Sequence, residues 1–72
     1  MSIAYSMPYH THEVDLAGND YVVFKADNFK LAREQLLTAQ KLQPFCHHYL
    51  INSDHADIDS DGLTDEEWEL LP

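Results

Sequence analysis

The sequence predicts an α+β domain: a small antiparallel sheet with one main helix packed on it and a short C-terminal helix, in the order β-β-β-α-β-α. Hydrophobic and polar residues alternate on either side of a glycine-containing turn, which is typical of a hairpin of half-buried strands. After residue 27 the hydrophobic spacing becomes helical. Composition indicates a folded chain, because 44% of the 72 residues are hydrophobic, and this length predicts a single domain over residues 1–72.

The first two strands are predicted before residue 17. Residues 2–7, SIAYSM, form a short apolar run that Pro8 ends, which indicates an edge strand. Residues 10–16 alternate strictly, as expected of a half-buried strand. One face carries His12, Val14 and Leu16, and the other carries Thr11, Glu13 and Asp15.

A hairpin turn is expected at residues 17–20. Gly18 and Asn19 both tolerate the positive φ angles that tight turns require. Residues 21–25, YVVFK, are β-branched and aromatic, and they are the predicted return strand.

The main helix is predicted at residues 27–42, where hydrophobic residues recur at helical spacing. They are Phe29, Ala32, Leu36 and Ala39, with Leu37 and Leu42 widening the stripe. Asp27 or Asn28 supplies an N-cap oxygen, and Pro44 limits continuation past the C-terminus.

Another strand is expected at residues 44–51, PFCHHYLI. One face would carry Phe45, His47, Tyr49 and Ile51, and the other would carry Cys46, His48 and Leu50. In such a strand Cys46 is expected to be a small buried residue.

A short helix is predicted at residues 63–71. Thr64 and Glu67 have the spacing of a capping box, in which each side chain binds the backbone amide of the other residue. Leu63 precedes the cap and can staple the helix onto the core. A helix this short is marginal alone, so it must dock, and Trp68 is the expected anchor.

The whole chain has a net charge of −9, and its acidic residues concentrate in the last third. Residues 1–51 hold five acids and four bases, a net of −1, whereas residues 52–72 hold eight acids and no base, a net of −8. Such a field repels nucleic acid and anionic membranes, and it attracts cations or basic protein surfaces.

Part of this acidic segment has the spacing of a calcium-binding loop. Carboxylates at alternate residues can turn inward around one ion, and a glycine in the sixth place allows a sharp bend. The matching residues are Asp57, Asp59, Asp61, Gly62 and Asp65. They resemble the first half of an EF-hand-like or dockerin-like loop, which implies a calcium-binding module whose ligands are these four aspartates. The twelfth place departs from that family, because Trp68 stands where a bidentate carboxylate is required.

The same carboxylates can instead stand in for nucleic-acid phosphates. Alternate residues of an extended segment lie about 6.6 Å apart, which approximates every second phosphate of a strand at roughly 3.4 Å per phosphate. In size, charge and layout, the chain resembles the small DNA-mimic inhibitors encoded by phages, among them anti-CRISPR proteins. The resemblance implies a protein that docks on a basic nucleic-acid-binding protein or complex and blocks its access to nucleic acid, without binding nucleic acid itself.

The expected partner-binding surface lies in the acidic segment. It comprises Asp54, Asp57, Asp59, Asp61, Asp65, Glu66, Glu67 and Glu69, together with Trp68. Tyr49 and either Tyr5 or Tyr9 could add aromatic contacts, which carry much of the energy of protein interfaces. The alternative is a solvated acidic face without a partner, in which an Asp-Gly turn leads into a capped helix.

Five histidines and one cysteine are the other chemically versatile groups. Their spacing matches no standard zinc module. They are His10 and His12 on one strand, followed by Cys46, His47, His48 and His55. A nucleophile pair of Cys46 and His48 would lack an orienting third group and a glycine-rich oxyanion loop. We therefore expect a protein that is not an enzyme and has no cofactor, apart from the calcium ion of the alternative hypothesis.

A cytoplasmic location is expected, which would be the host cytoplasm if a phage encodes the protein. A single cysteine excludes an intrachain disulfide, which small secreted domains usually need. The N-terminus lacks the features of a signal peptide, and no stretch of about 18 apolar residues is present to span a membrane. The protein is expected to be a monomer, or a homodimer that pairs through the edge of the strand at residues 2–7.

Overall fold

The computed structural model describes residues 7–57 and 60–71. Its elements are β1 (Tyr9–Val14), β2 (Asp20–Ala26), α1 (Phe29–Leu42), β3 (His47–Asn52) and α2 (Asp65–Leu70). The strands form one antiparallel sheet in the order β2-β1-β3, and α1 packs on one face of it. The predicted α+β class is therefore confirmed. The strand predicted at residues 2–7 lies outside the described residues, except for Met7.

β1 and β2 form the predicted hairpin, although its turn begins earlier than expected. The Asp15 Oδ1 atom accepts hydrogen bonds from the backbone amides of Ala17 and Asn19, both at 2.9 Å. Gly18 has a φ of 85°, as a tight turn requires. β1 ends at Val14 because the Asp15 carboxylate binds the amides of the turn.

The face of β1 that packs beneath α1 is the more polar of its two faces. Thr11 is fully buried and lies opposite Leu50, a core residue of β3. Glu13 is also buried, whereas Leu16, which was predicted on the other face, lies in the turn beyond β1 and is 86% exposed. The alternation separates the two faces as predicted. Glu13 is tolerated inside because side chains of β2 and β3 form hydrogen bonds with it.

α1 begins and packs largely as predicted. Asn28, rather than Asp27, is the N-cap, and its side-chain oxygen accepts a 2.9 Å hydrogen bond from the Leu31 amide. The buried residues of the helix are Ala32, Leu36 and Ala39. Leu42 occupies the last helical position and is 67% exposed, so the prediction that it widens the buried stripe is wrong.

β3 starts at His47, later than the predicted position 44. The Cys46 amide donates a 3.1 Å hydrogen bond to the Gln43 carbonyl, so a turn occupies the start of the predicted strand. Phe45 in this turn is 83% exposed. From His47 onward the predicted alternation is confirmed. Leu50 joins the core, whereas Ile51 lies opposite His10, whose side chain is on the other face of β1.

α2 has the predicted N-terminus but not the predicted anchor. Thr64 Oγ1 accepts from the Glu67 amide at 3.2 Å, and Glu67 Oε1 accepts from the Thr64 amide at 2.9 Å, which completes the capping box. Leu63 and Leu71 pack against the core, as the staple predicts for Leu63. Trp68 is 53% exposed, so its prediction as the anchor is wrong. Residues four apart lie on one side of a helix. The side that faces the core is that of Leu63, Glu67 and Leu71, and Trp68 is not on it.

Candidate functional site

Most of the predicted acidic surface is displayed to solvent. The exposed carboxylates among the described residues of this surface are Asp54, Asp57, Asp65, Glu66 and Glu69. We call these five residues the displayed carboxylates. Asp61 and Glu67 are half-buried, and Asp59 lies outside the described residues.

Asp61 holds the acidic loop against the end of β3. Its carbonyl oxygen accepts a 2.8 Å hydrogen bond from the Asn52 amide, and its Oδ1 accepts from the Leu63 amide at 3.1 Å. Gly62 follows with a φ of 80°, and its backbone lies directly against the Asn52 carbonyl. This aspartate therefore has a structural role in the turn as well as a charge.

Glu67 joins α2 to β1. One carboxylate oxygen completes the capping box with Thr64, and the other accepts a 2.6 Å hydrogen bond from the Tyr9 hydroxyl. Both oxygens are therefore used within the fold. The sequence could not separate this residue from its displayed neighbours, because Tyr9 is 58 positions away in the chain.

No basic side chain neutralises the displayed carboxylates within residues 7–57 and 60–71. The close histidine–carboxylate contacts there join His12 to Asp20 and His48 to Glu13, and both lie outside the acidic segment. Arg33 donates to the Leu70 carbonyl at 2.5 Å, where it meets the negative end of the α2 dipole. The charge of the acidic surface is therefore available to a partner.

The calcium hypothesis requires four aspartates to converge. Within residues 7–57 and 60–71, no three His, Cys, Asp or Glu side chains are grouped closely enough to hold a metal ion. Asp59, one of the four, lies outside that part of the chain. Asp61 already uses one carboxylate oxygen for the Leu63 amide. The described aspartates alone do not form a site, and calcium binding stays a prediction.

A partly buried polar cluster joins the three strands and was not predicted from the sequence; the side chains of His48 and Glu13 are buried in it, whereas Tyr21 is exposed. His48 Nε2 lies 2.9 Å from Glu13 Oε1, and the Tyr21 hydroxyl donates to Glu13 Oε2 at 2.8 Å. The hydrogen bond with His48, followed by that from Tyr21, lowers the pKa of Glu13. The clue in the sequence was a glutamate at an inward position of the alternation, but its two partners are set by strand register.

Cys46 lies near this cluster. Burial raises the pKa of its thiol, and the neighbouring carboxylates of Glu13 and Asp15 raise it further. The thiolate is the reactive form of cysteine, so this environment opposes nucleophilic chemistry. His48, the other member of the nucleophile pair that the sequence argued against, lies with its Nε2 2.9 Å from Glu13 Oε1.

The open face of the sheet, opposite α1, carries a row of rings. His10, His12, Tyr49 and His47 follow one another with ring centroids 6.4, 4.8 and 5.9 Å apart. Asp20 lies 2.8 Å from His12 Nδ1 and accepts from the Tyr49 hydroxyl. The two histidines expected on one strand face do lie together.

The tyrosines of the sheet give a prediction about alkaline pH. Tyr9, Tyr21 and Tyr49 each donate to a carboxylate. The pKa of each hydroxyl rises to about 12, chiefly through burial for Tyr9 and through the hydrogen bond for the other two. A raised pKa favours the protonated form in the folded state, so this stabilisation is complete below the ordinary value of 10.0 and is lost as pH rises toward 12.

Ultraviolet titration and thermal unfolding test this prediction. In a Tyr5→Phe background, the phenolic absorbance should rise only near pH 12, and Tm should fall steeply above pH 10. The additional change Tyr49→Phe should reduce the dependence of Tm on alkaline pH. Tyrosines that ionise near pH 10 while the protein is folded would contradict these hydrogen bonds.

Comparisons of the chain with family models, with curated proteins and with solved structures found no match. None of the helices in the described ranges is both long and apolar enough to cross a membrane. The functional assignment therefore rests on the geometry and the charge of this chain.

Proposed function

We propose that the protein is a non-enzymatic inhibitor that binds a basic, nucleic-acid-binding protein or complex and blocks its access to nucleic acid. Its action would be that of the DNA-mimic and anti-CRISPR inhibitors that it resembles in size and charge. The observation that carries the proposal is the uncompensated charge of the displayed carboxylates, in a segment that has no basic residue. Groups of like charge lower stability through repulsion, so a use in binding accounts for their retention.

The outer face of α2 supports this proposal. Asp65 and Glu69 are four residues apart and Glu66 and Glu69 are three apart, which places each pair on neighbouring turns. Side chains at these spacings lie about 5–6 Å from each other. Phosphates of one duplex strand advance roughly 3.4 Å each along the helix axis, so that distance is comparable to an axial advance of two phosphates.

Trp68 adds an aromatic contact to this surface. It is 53% exposed, and it precedes Glu69 on α2. Tryptophan is among the residues that most often carry binding energy at protein interfaces. Its exposure, which removes it as the anchor of α2, leaves much of its surface free for a partner.

The proposed target fixes the place of action. A protein that blocks nucleic-acid binding must act in the compartment of its target, and we propose that this compartment is the cytoplasm. The one cysteine is compatible with this reducing compartment. We propose the host cytoplasm if a phage encodes the protein.

Affinity capture from host extract tests the proposal. Immobilised protein should retain basic nucleic-acid-binding proteins, and added duplex DNA should release them. The variant Glu66→Gln/Glu69→Gln should retain less, whereas the matched control Asp27→Asn/Glu34→Gln, which alters two exposed carboxylates outside the acidic segment, should retain as much as the native protein. Capture that duplex DNA leaves unchanged would contradict the proposal.

The calcium hypothesis predicts a different result. A calcium site would raise Tm by mass action once the ion is present above its dissociation constant. For a surface that displays charge to a protein, we expect equal concentrations of calcium and magnesium, up to the millimolar range, to change Tm by the same small amount. A rise in Tm with calcium alone, removed by Asp57→Asn, would establish the ion site instead.

A further inference from the structure

β3 is an edge strand that lacks the usual protection against pairing. The sheet order places β2 and β3 at the two edges. Exposed edges are commonly blocked by charged residues, prolines or bulges. β2 carries Asp20 and Lys25, and the register beside it shifts between Thr11 and His12. The β3 sequence, HHYLIN, contains no Asp, Glu, Lys, Arg or Pro.

The hydrogen bonds at the C-terminal end of β3 show which of its backbone amides point away from β1. The Ser53 amide donates to the Pro8 carbonyl, on the β1 side, whereas the Asn52 amide donates to the Asp61 carbonyl on the outer side. Amide direction alternates along a strand. The amides of His48 and Leu50 therefore point outward, and among the described residues no loop or helix backbone bonds to them.

A groove of about 240 Å³ follows this edge. Four consecutive β3 residues, 47–50, line it, with Leu36 and Gln40 of α1, Trp68 of α2 and the C-cap residue Leu71. Successive side chains of a strand point to opposite faces. A groove that runs along the edge of the strand accounts for four consecutive lining residues.

We propose that this groove receives an extended segment of a basic partner, which pairs with β3 as a fourth strand. Addition of a peptide strand beside a helix gives affinity through main-chain hydrogen bonds and specificity through alternate side chains. Alternate apolar side chains of the segment would contact Trp68 and Leu71. Only the basic character of the segment rests on the proposed function.

Charge favours a basic partner over a second copy of the chain. The lining of the groove contains no carboxylate, but in the sequence β3 is followed by the exposed Asp54 and Asp57, and Trp68 is followed by the exposed Glu69. Two copies paired through β3 would bring two chains of net charge −9 together. A basic segment instead gains attraction from the same residues.

Selection from a displayed library of random twelve-residue peptides, against the immobilised full-length protein, supplies the probe. Selected peptides should be rich in Lys, Arg and β-branched residues. Two versions of a selected peptide are then compared, one N-methylated at the odd-numbered residues and one at the even-numbered residues. Only one version should bind about tenfold or more weakly, because only one edge of the peptide faces β3. Selection of no peptide, or equal binding by the two versions, would overturn the inference.

Hydrogen exchange identifies the occupant of the edge. The His48 and Leu50 amides should exchange quickly in the dilute free protein and slowly once a selected peptide is bound. Slow exchange in the dilute free protein would show that the chain already covers its own edge. Protection that grows with protein concentration would assign the edge to a second copy. Either result would overturn the inference.

Two substitutions test the role of the groove separately from that of the displayed carboxylates. Trp68→Ala should weaken peptide binding about tenfold. Phe45→Ala, which removes an exposed aromatic outside the groove, should leave it unchanged. If basic peptides bind equally well to the Trp68→Ala variant and after N-methylation, the proposal that they occupy the groove is overturned, but the proposed function is not. Edge-pairing peptides that are not basic, and that Glu66→Gln/Glu69→Gln leaves unaffected, would count against the proposed function.

Discussion

Gly62→Ala should destabilise the protein by about 3 kcal/mol or more, well beyond a typical single substitution. Gly62 has a φ of 80°, which costs a residue with a Cβ atom about 1–2 kcal/mol. The added Cβ would also overlap the Asn52 carbonyl oxygen and lie 2.8 Å from the Ala56 amide nitrogen. These are backbone atoms, and Leu63 packs on the core immediately afterwards, so the turn has little room to move.

Gly18 provides a matched control. It has nearly the same backbone angle, a φ of 85°, but nothing lies within 4 Å of the added Cβ position. Gly18→Ala should therefore cost only the conformational penalty. Thermal unfolding measures the difference, because 1 kcal/mol shifts Tm by about 4–8 °C in a domain of this size. Equal losses of Tm in the two variants would contradict the close packing of the acidic turn against β3.

The second large effect concerns affinity. We expect conversion of all five displayed carboxylates to their amides to weaken binding to a purified captured partner about tenfold or more at physiological salt. The changes are Asp54→Asn, Asp57→Asn, Asp65→Asn, Glu66→Gln and Glu69→Gln. Binding by the native protein should weaken as salt rises, whereas binding by the variant should depend less on salt, because fewer screened charge contacts remain.

Stability distinguishes a lost interface from a damaged fold. The displayed carboxylates accept none of the side-chain hydrogen bonds that hold the acidic turn and α2, so their amides should leave Tm at or above that of the native protein as the repulsion is relieved. Glu67→Gln is the opposite case, because this carboxylate binds both Thr64 and Tyr9. That change should lower Tm. A five-residue variant that folds normally and binds with unchanged affinity would contradict the role of the charges.

Local signals predicted the elements of this fold well. The Thr64 and Glu67 capping box, the positive φ of Gly18 and the helical spacing of Ala32 and Leu36 depend on residues close in sequence. The start of β3 was wrong because apolar character alone does not distinguish a turn residue such as Phe45 from a strand residue.

Features that depend on distant partners could not be predicted. Glu13 is buried because Tyr21 and His48, on two other strands, form hydrogen bonds with it. Trp68 was a reasonable anchor by size, yet the orientation of α2 is set by Leu63 and Leu71 on the core. Hydrophobicity ranks such residues, but only tertiary packing decides which helix face turns inward.

The candidate site was predicted in composition but not in detail. The concentration of charge is evident in the sequence, as is the segment that bears it. The sequence does not show that Asp61 and Glu67 use their oxygens within the fold, since the Tyr9 partner lies on β1. The groove beside β3 was not predicted either, because its walls come from three separate elements.

Competition with nucleic acid tests the central claim most directly. A purified captured partner is loaded with fluorescently labelled duplex DNA, and the protein is titrated into the complex while fluorescence anisotropy is followed. The account predicts complete displacement of the duplex, less efficient for the five-residue variant than for the native protein. A partner that binds the protein while it retains its duplex would contradict the account, because the acidic surface would then occupy a site other than the nucleic-acid channel.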